Sequence, residues 1–194
     1  MTRALSIGAL VAVLAAGCGS TKTVTVTQSV TTVKTVTTTK TVTTTGQSAQ
    51  APPCSDADLK GSFDAQAGSA GAGTITYTLV LTNTSSAACT VSGTPVATLL
   101  DNNGAALPTQ ILAVQAGQGS AKPVVLQAGD AAKADARFSP DVAGTGDAQT
   151  GRCEPVAHVL RVTAEGGGSV DAPISPPTSV CERGQLSFRP FTAG

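Results

Sequence analysis

His158 is the only histidine of the chain, and so the only side chain whose ordinary pKa suits proton transfer near neutrality. It falls in the segment Val156 to Thr163, in phase with Val156, Leu160 and Val162, so on a strand it would point to the same side as those apolar residues. There it could serve a serine nucleophile if a carboxylate oriented it, but no serine stands in a Gly-x-Ser-x-Gly elbow. Gly117-Gln-Gly-Ser-Ala-Lys122 echoes a phosphate loop, yet it lacks the Walker spacing and a following helix, and reads as a turn. Asp101-Asn-Asn-Gly104 would suit calcium only with the remaining ligands of an EF-hand loop, which are missing, and Asn-Gly is ordinary hairpin chemistry. Copper lacks ligands, since Met1 is the only methionine and His158 the only histidine. Five cysteines, Cys18, Cys54, Cys89, Cys153 and Cys181, contain no Cys-x-x-Cys pair, which argues against a Cys₄ zinc site. Asn83-Thr84-Ser85 has the form of a glycosylation sequon. The inventory predicts a protein that is not an enzyme, with no catalytic residues, no cofactor and no metal.

Cys18 is different, because its setting is a processing signal. Arg3 gives a positive start, and Ala4 to Ala16 is a mainly apolar run of 13 residues, right for a signal h-region and too short for a helix spanning the roughly 30 Å hydrocarbon core. Leu14-Ala15-Ala16-Gly17-Cys18 resembles the lipobox of bacterial lipoproteins, with Ala15 where Leu is the commonest residue. That resemblance implies cleavage before Cys18 and a diacylglycerol on its thiol. Each buried CH₂ contributes about 0.8 kcal/mol, so two or three acyl chains hold stably. Residues 1–17 are then the lipoprotein signal peptide, and the mature protein is expected on the outer face of the cell membrane, lipid-anchored.

Residues 18–53 read as the lipidated Cys followed by a Thr/Val/Lys-rich tether. Fourteen of the 25 residues from Thr21 to Thr45 are threonine, and Lys34-Thr-Val-Thr-Thr-Thr39 repeats at once as Lys40-Thr-Val-Thr-Thr-Thr45. So few large side chains cannot offset the entropy of ordering, which predicts disorder or extended backbone. Residues 21–50 carry Lys22, Lys34 and Lys40 with no acid, a charge of +3, whereas 54–194 carry 8 basic and 12 acidic residues, a charge of −4. Neither part clusters Lys and Arg with interleaved aromatics, so nucleic acid is not an expected partner. The expected partners are the membrane, through the anchor, and a cell-wall polymer or an envelope protein.

From Cys54 the texture is that of a folded domain, 54–194, long enough for one core. Thr74 to Thr82 alternates Ile75, Tyr77, Leu79 and Leu81 with threonines, the signature of a half-buried strand. Further strands are predicted at Cys89 to Val91, Val96 to Leu100, Ile111 to Gln115, Pro123 to Leu126, Ala131 to Phe138, Val156 to Thr163, Ser169 to Ala172 and Ser187 to Phe191. Turn-forming clusters such as Ser92-Gly-Thr-Pro95 and Gly166-Gly-Gly168 separate them. Only Ser55 to Phe63 has a weak helical spacing. Many short strands predict an all-β fold, an immunoglobulin-like β-sandwich of two sheets.

With Cys18 lipidated, four cysteines remain and three pairings are possible. Cys54 with Cys89 and Cys153 with Cys181 is favoured, because each joins sequence neighbours and leaves one clip in each half of the domain. Leu81-Thr-Asn-Thr84, Ala88-Cys-Thr-Val-Ser-Gly-Thr-Pro95, Leu99-Leu-Asp101 and Leu126-Gln-Ala-Gly-Asp-Ala131, with Cys153 and Cys181 beyond, resemble domain of unknown function 4232 of actinobacterial secreted lipoproteins. The resemblance spans about residues 54 to 190 and implies an envelope location without an assigned activity. Thr94, where an aromatic usually precedes the Pro, and Phe138, where Trp is common, depart from it. Two function classes follow: a non-catalytic envelope module, favoured by composition, or a hydrolase-like enzyme or solute receptor whose site is not legible in sequence.

Overall fold

Side chains alternating between a buried and a solvated face define most of the strands in the computed structural model, which describes residues 50–114 and 122–194. They are β1 (Leu59–Ala65), β2 (Ile75–Asn83), β3 (Cys89–Val91), β4 (Ala97–Leu100), β5 (Gln110–Ala113) and β6 (Val124–Leu126), then β7 (Ala131–Phe138), β8 (Val156–Thr163), β9 (Ser169–Ser179), β10 (Gln185–Phe188) and β11 (Thr192–Ala193). The fold is all-β. Its main sheet runs β4-β8-β9-β1-β2-β7-β10-β5, with β11 also on β7, while β3 and β6 form a separate two-stranded ribbon.

The sheet is continuous because β9 changes partner along its length. Its residues Ser169–Pro173 and Thr178–Ser179 pair antiparallel with β8, and Ile174 and Ser175 between them pair parallel with β1. The expectation of a strand ending at Ala172 therefore falls short, since β9 continues through Pro173, Pro176 and Pro177. The expected helical tendency of Ser55 to Phe63 is also corrected. Ser55 caps only a three-residue 3₁₀ turn, Asp56–Asp58, through a capping box with Asp58. Leu59, Gly61 and Phe63 then turn inward along β1.

One aromatic cluster fills the centre. The ring of Phe63 lies 5.2 Å from Tyr77 and 6.0 Å from Phe188, and Tyr77 lies 5.2 Å from Phe138. Such pairs contribute about 0.5–1.5 kcal/mol each beyond their buried area. With Phe191, also buried, this accounts for all four Phe and the single Tyr of the chain. Around the rings the packing surfaces are small: Ala132, Ala134 and Ala136 of β7, Ala172 of β9 and Gly61 of β1 let strands approach closely.

Two disulfides fasten the edges of this core. Cys54 is bonded to Cys89 with a Cα–Cα distance of 4.9 Å, and Cys153 to Cys181 at 5.4 Å. The first holds the entering segment against β3, where Cys54 N–H donates to Thr90 O and Thr90 N–H to Pro52 O. The second ties the end of the long β7–β8 connection to the turn after β9.

Candidate functional site

The outward side chains of β1, β2, β7 and β10 are almost wholly polar, because the inward positions of the same strands take the apolar residues. Register sets them in rows across the strands. Asp64, Thr78 and Asp135 lie opposite one another, and Thr76, Arg137 and Ser187 form the next row. Gln66 Nε2 donates to Asp135 Oδ1 at 2.8 Å and to Thr78 Oγ1 at 2.7 Å, and Thr78 Oγ1 donates to the same Asp135 oxygen at 2.9 Å. Arg137 reaches sideways, its Nε and Nη2 donating to Thr74 Oγ1 at 3.0 and 2.8 Å.

Two open clefts flank this arrangement, of about 620 Å³ on the Lys133 and Asp64 side and about 690 Å³ on the Arg137 and Ser187 side. Gln66, Asp135 and Arg189 line both, so the clefts meet at one ridge. A third hollow, only about 50 Å³, lies at the end of the core between Val91, Val162, Val170 and Phe191, with Thr94 at its rim.

A second cluster surrounds Asp147, whose carboxylate accepts from three backbone N–H groups: Gly144 at 2.8 Å, Glu182 at 2.6 Å and Arg183 at 2.8 Å. Its job is conformational. The four-residue turn Cys181–Gly184 is helical in hydrogen bonding only, since Glu182 and Arg183 have left-handed φ of 57° and 59°, sparsely populated for residues with a side chain. The Gly144 N–H above all, with the other two, holds the Asp147 carboxyl below its ordinary range. Burial first, then the negative Asp147 beside it, pushes the Glu154 carboxyl up. An oxygen of Asp147 and the sulfurs of Cys153 and Cys181 lie within 4.8 Å of one another, a spacing compatible with a metal, but the two sulfurs are bonded to each other and the carboxylate is taken by the turn.

The chain matches the family described as Domain of unknown function (DUF4232) over residues 54–192. The chain belongs to this family. No curated protein and no solved structure matches it significantly.

In this DUF4232 domain the residues of the sequence motifs are scaffold. Asn83 is fully buried; its Nδ2 donates to Ala87 O and Leu126 O, and its Oδ1 accepts from the N–H and Oγ of Ser85. An amide so enclosed is no glycan acceptor, whatever its sequon. Gly129, at φ +86°, donates its N–H to Asn83 O and Asp130 O accepts from Asn83 N–H, so Leu81–Thr84 and Leu126–Ala131 meet as one corner. Asp101 caps its own turn, accepting from the N–H groups of Asn103 and Ala105 at 2.8 Å each, and these bonds hold its carboxyl low. Phe138 packs on Tyr77.

His158 departs from the phase expected of it. A β-bulge between Ala157 and Val159 shifts the register, so Ala157 joins Leu160 and Val162 in the core and His158 is left half-buried at the irregularity. It lines neither large cleft. Cys18, the signal segment, the tether as far as residue 49, and Gly117 to Ala121 of the phosphate-loop look-alike lie outside the described residues, with Lys122 at the start of the resumed chain, whereas Pro52 and Pro53 at the end of the tether lie beside Thr90 of β3. Among the described residues no helix is long and apolar enough to cross a membrane. The polar face was missed in sequence because its members come from four separated strands; the alternating threonines of β2 and the alternating Lys133, Asp135 and Arg137 of β7 were its visible traces.

Proposed function

We propose that the chain is a lipid-anchored envelope protein of an actinobacterium, held on the outer face of the cell membrane by Cys18 and presenting its DUF4232 domain as a non-catalytic binding module. The Cys18 setting supports the anchor, and the Thr-rich segment supports a stand-off of roughly 30 Å as a coil or on the order of 100 Å if extended. The binding role rests on one observation, the paired clefts across a polar sheet face. The change of partner along β9 supports the finer description of the sheet as an immunoglobulin-like sandwich folded at that strand. An enzyme or solute receptor is the weaker reading, since His158 lies away from the clefts.

Metabolic labelling with palmitate and detergent-phase partition test the anchor. The wild-type chain should take up label and enter the detergent phase, and Cys18→Ser should do neither. A Cys18→Ser chain that stayed with the membrane at wild-type level would defeat the proposal.

A further inference from the structure

We infer that the paired clefts bind a carboxylated polysaccharide, an inference that rests on the binding-module reading and gives that module its ligand class. The charge of the face is the first argument. Lys133, Arg137 and Arg189 line the clefts against Asp64 and Asp135, a local balance of +1, in a domain whose residues 54–194 sum to −4. All three cations are exposed, and the one ion pair among the described residues is Arg161 with Asp171, elsewhere on the surface. Arg137 spends two donors on a neutral hydroxyl, which leaves its charge uncompensated. A guanidinium fork matches a carboxylate in a bidentate manner.

The second argument is what the face lacks. Every aromatic ring of the chain is buried, so none lines the clefts. Single-stranded nucleic acid is held by stacking on aromatic platforms, and protein interfaces centre on aromatic and apolar anchors. An acidic polysaccharide can be held without either, by charge and hydrogen bonds alone. The third argument separates carboxylate from phosphate. Asp135 stands between Lys133 and Arg137 along β7, Asp64 lies in its row on β1, and Oδ2 of Asp135 has no partner among the described residues. These carboxylates oppose any anionic chain unless hydroxyls donate to them, and a uronate polymer offers two hydroxyls for each charge where poly(glycerol phosphate) offers one. Thr76 and Ser187 add further hydroxyl partners at the Arg137 end.

The full chain, purified in detergent, would be titrated with alginate oligomers, poly(glycerol phosphate) and dextran. Saturable binding of alginate that weakens with salt, with dextran inert, is the expected result. Arg137→Glu and Arg189→Glu should each lower alginate affinity at least tenfold, and Arg152→Glu, the same charge change on an exposed residue off this face, less than twofold. The milder Arg189→Gln, checked for an unchanged melting temperature, should also weaken binding and guards against misfolding of the reversal variants. No alginate binding, tighter binding of poly(glycerol phosphate), equal binding of dextran, or an equal loss in Arg152→Glu would overturn the inference. A chain that ignores alginate yet enters the detergent phase loses this ligand and keeps its anchor; one that binds alginate but stays aqueous does the reverse.

Discussion

Gly61→Ala tests how closely the two sides of the core approach. Gly61 lies on the buried face of β1, and a Cβ built there would stand 2.9 Å from Ala172 Cβ, 3.2 Å from Ala172 Cα and 3.3 Å from Val170 Cγ1. Two effects oppose each other. Replacing a strand glycine by alanine restricts the unfolded chain, a gain of about 0.4–1 kcal/mol where the native conformation tolerates the side chain. Forcing a methyl into a packed core costs about 1–3 kcal/mol. The clash wins, because Ala172 Cβ and Cα are fixed to the backbone of β9 and cannot rotate away. A net loss of about 1–2 kcal/mol should lower the melting temperature of the full chain by about 2–8 °C, followed by circular dichroism. Ala172→Gly in the Gly61→Ala background should recover part of this, giving a favourable coupling of about 1 kcal/mol in a double-mutant cycle. Recovery stays partial because Val170 still crowds the new methyl. A Gly61→Ala chain at least as stable as wild type, or strictly additive substitutions, would refute the reasoning.

The disulfides close loops of 35 and 28 residues, for which the chain-entropy relation yields about 3.8 and about 3.6 kcal/mol. Cys54→Ala with Cys89→Ala, and Cys153→Ala with Cys181→Ala, should therefore each lower the melting temperature by about 7–15 °C; a drop under about 2 °C in either pair would contradict the entropic account. The Asp147 and Glu154 pair should show opposite pH signatures in melting curves. Glu154, raised above its ordinary 4.5 in the fold, contributes stability below that value and loses it as pH rises through the folded value, so Glu154→Gln should be more stable than wild type near pH 7 and equal near pH 3. Asp147, lowered from 3.8, contributes above that value and loses it as pH falls through the folded one, so Asp147→Asn should be less stable near pH 7 and converge with wild type in acid. Parallel curves for the three chains would exclude this coupling.

The sequence by itself determined where strong alternation lies, since period two needs only neighbouring residues: β2, β7 and β8 fall within a residue of the expected Thr74 to Thr82, Ala131 to Phe138 and Val156 to Thr163. It also predicted the all-β class, through turn residues whose preferences are local, and the family, through motifs whose half-cystines and corners build the scaffold. β1 escaped it because Gly61 leaves no apolar side chain to mark the inward position, and the length of β9 escaped it because prolines argue against a strand. Val96, expected to begin a strand, lies 67% exposed just outside β4. Tertiary structure decided the rest. The bulge that turns His158 out of phase depends on how β8 meets β9, and the continuous sheet depends on β9 serving two partners. The cleft-lined face exists only once β1, β2, β7 and β10 lie side by side, because Asp64, Asp135 and Arg189 are distant in the chain and are joined by register alone.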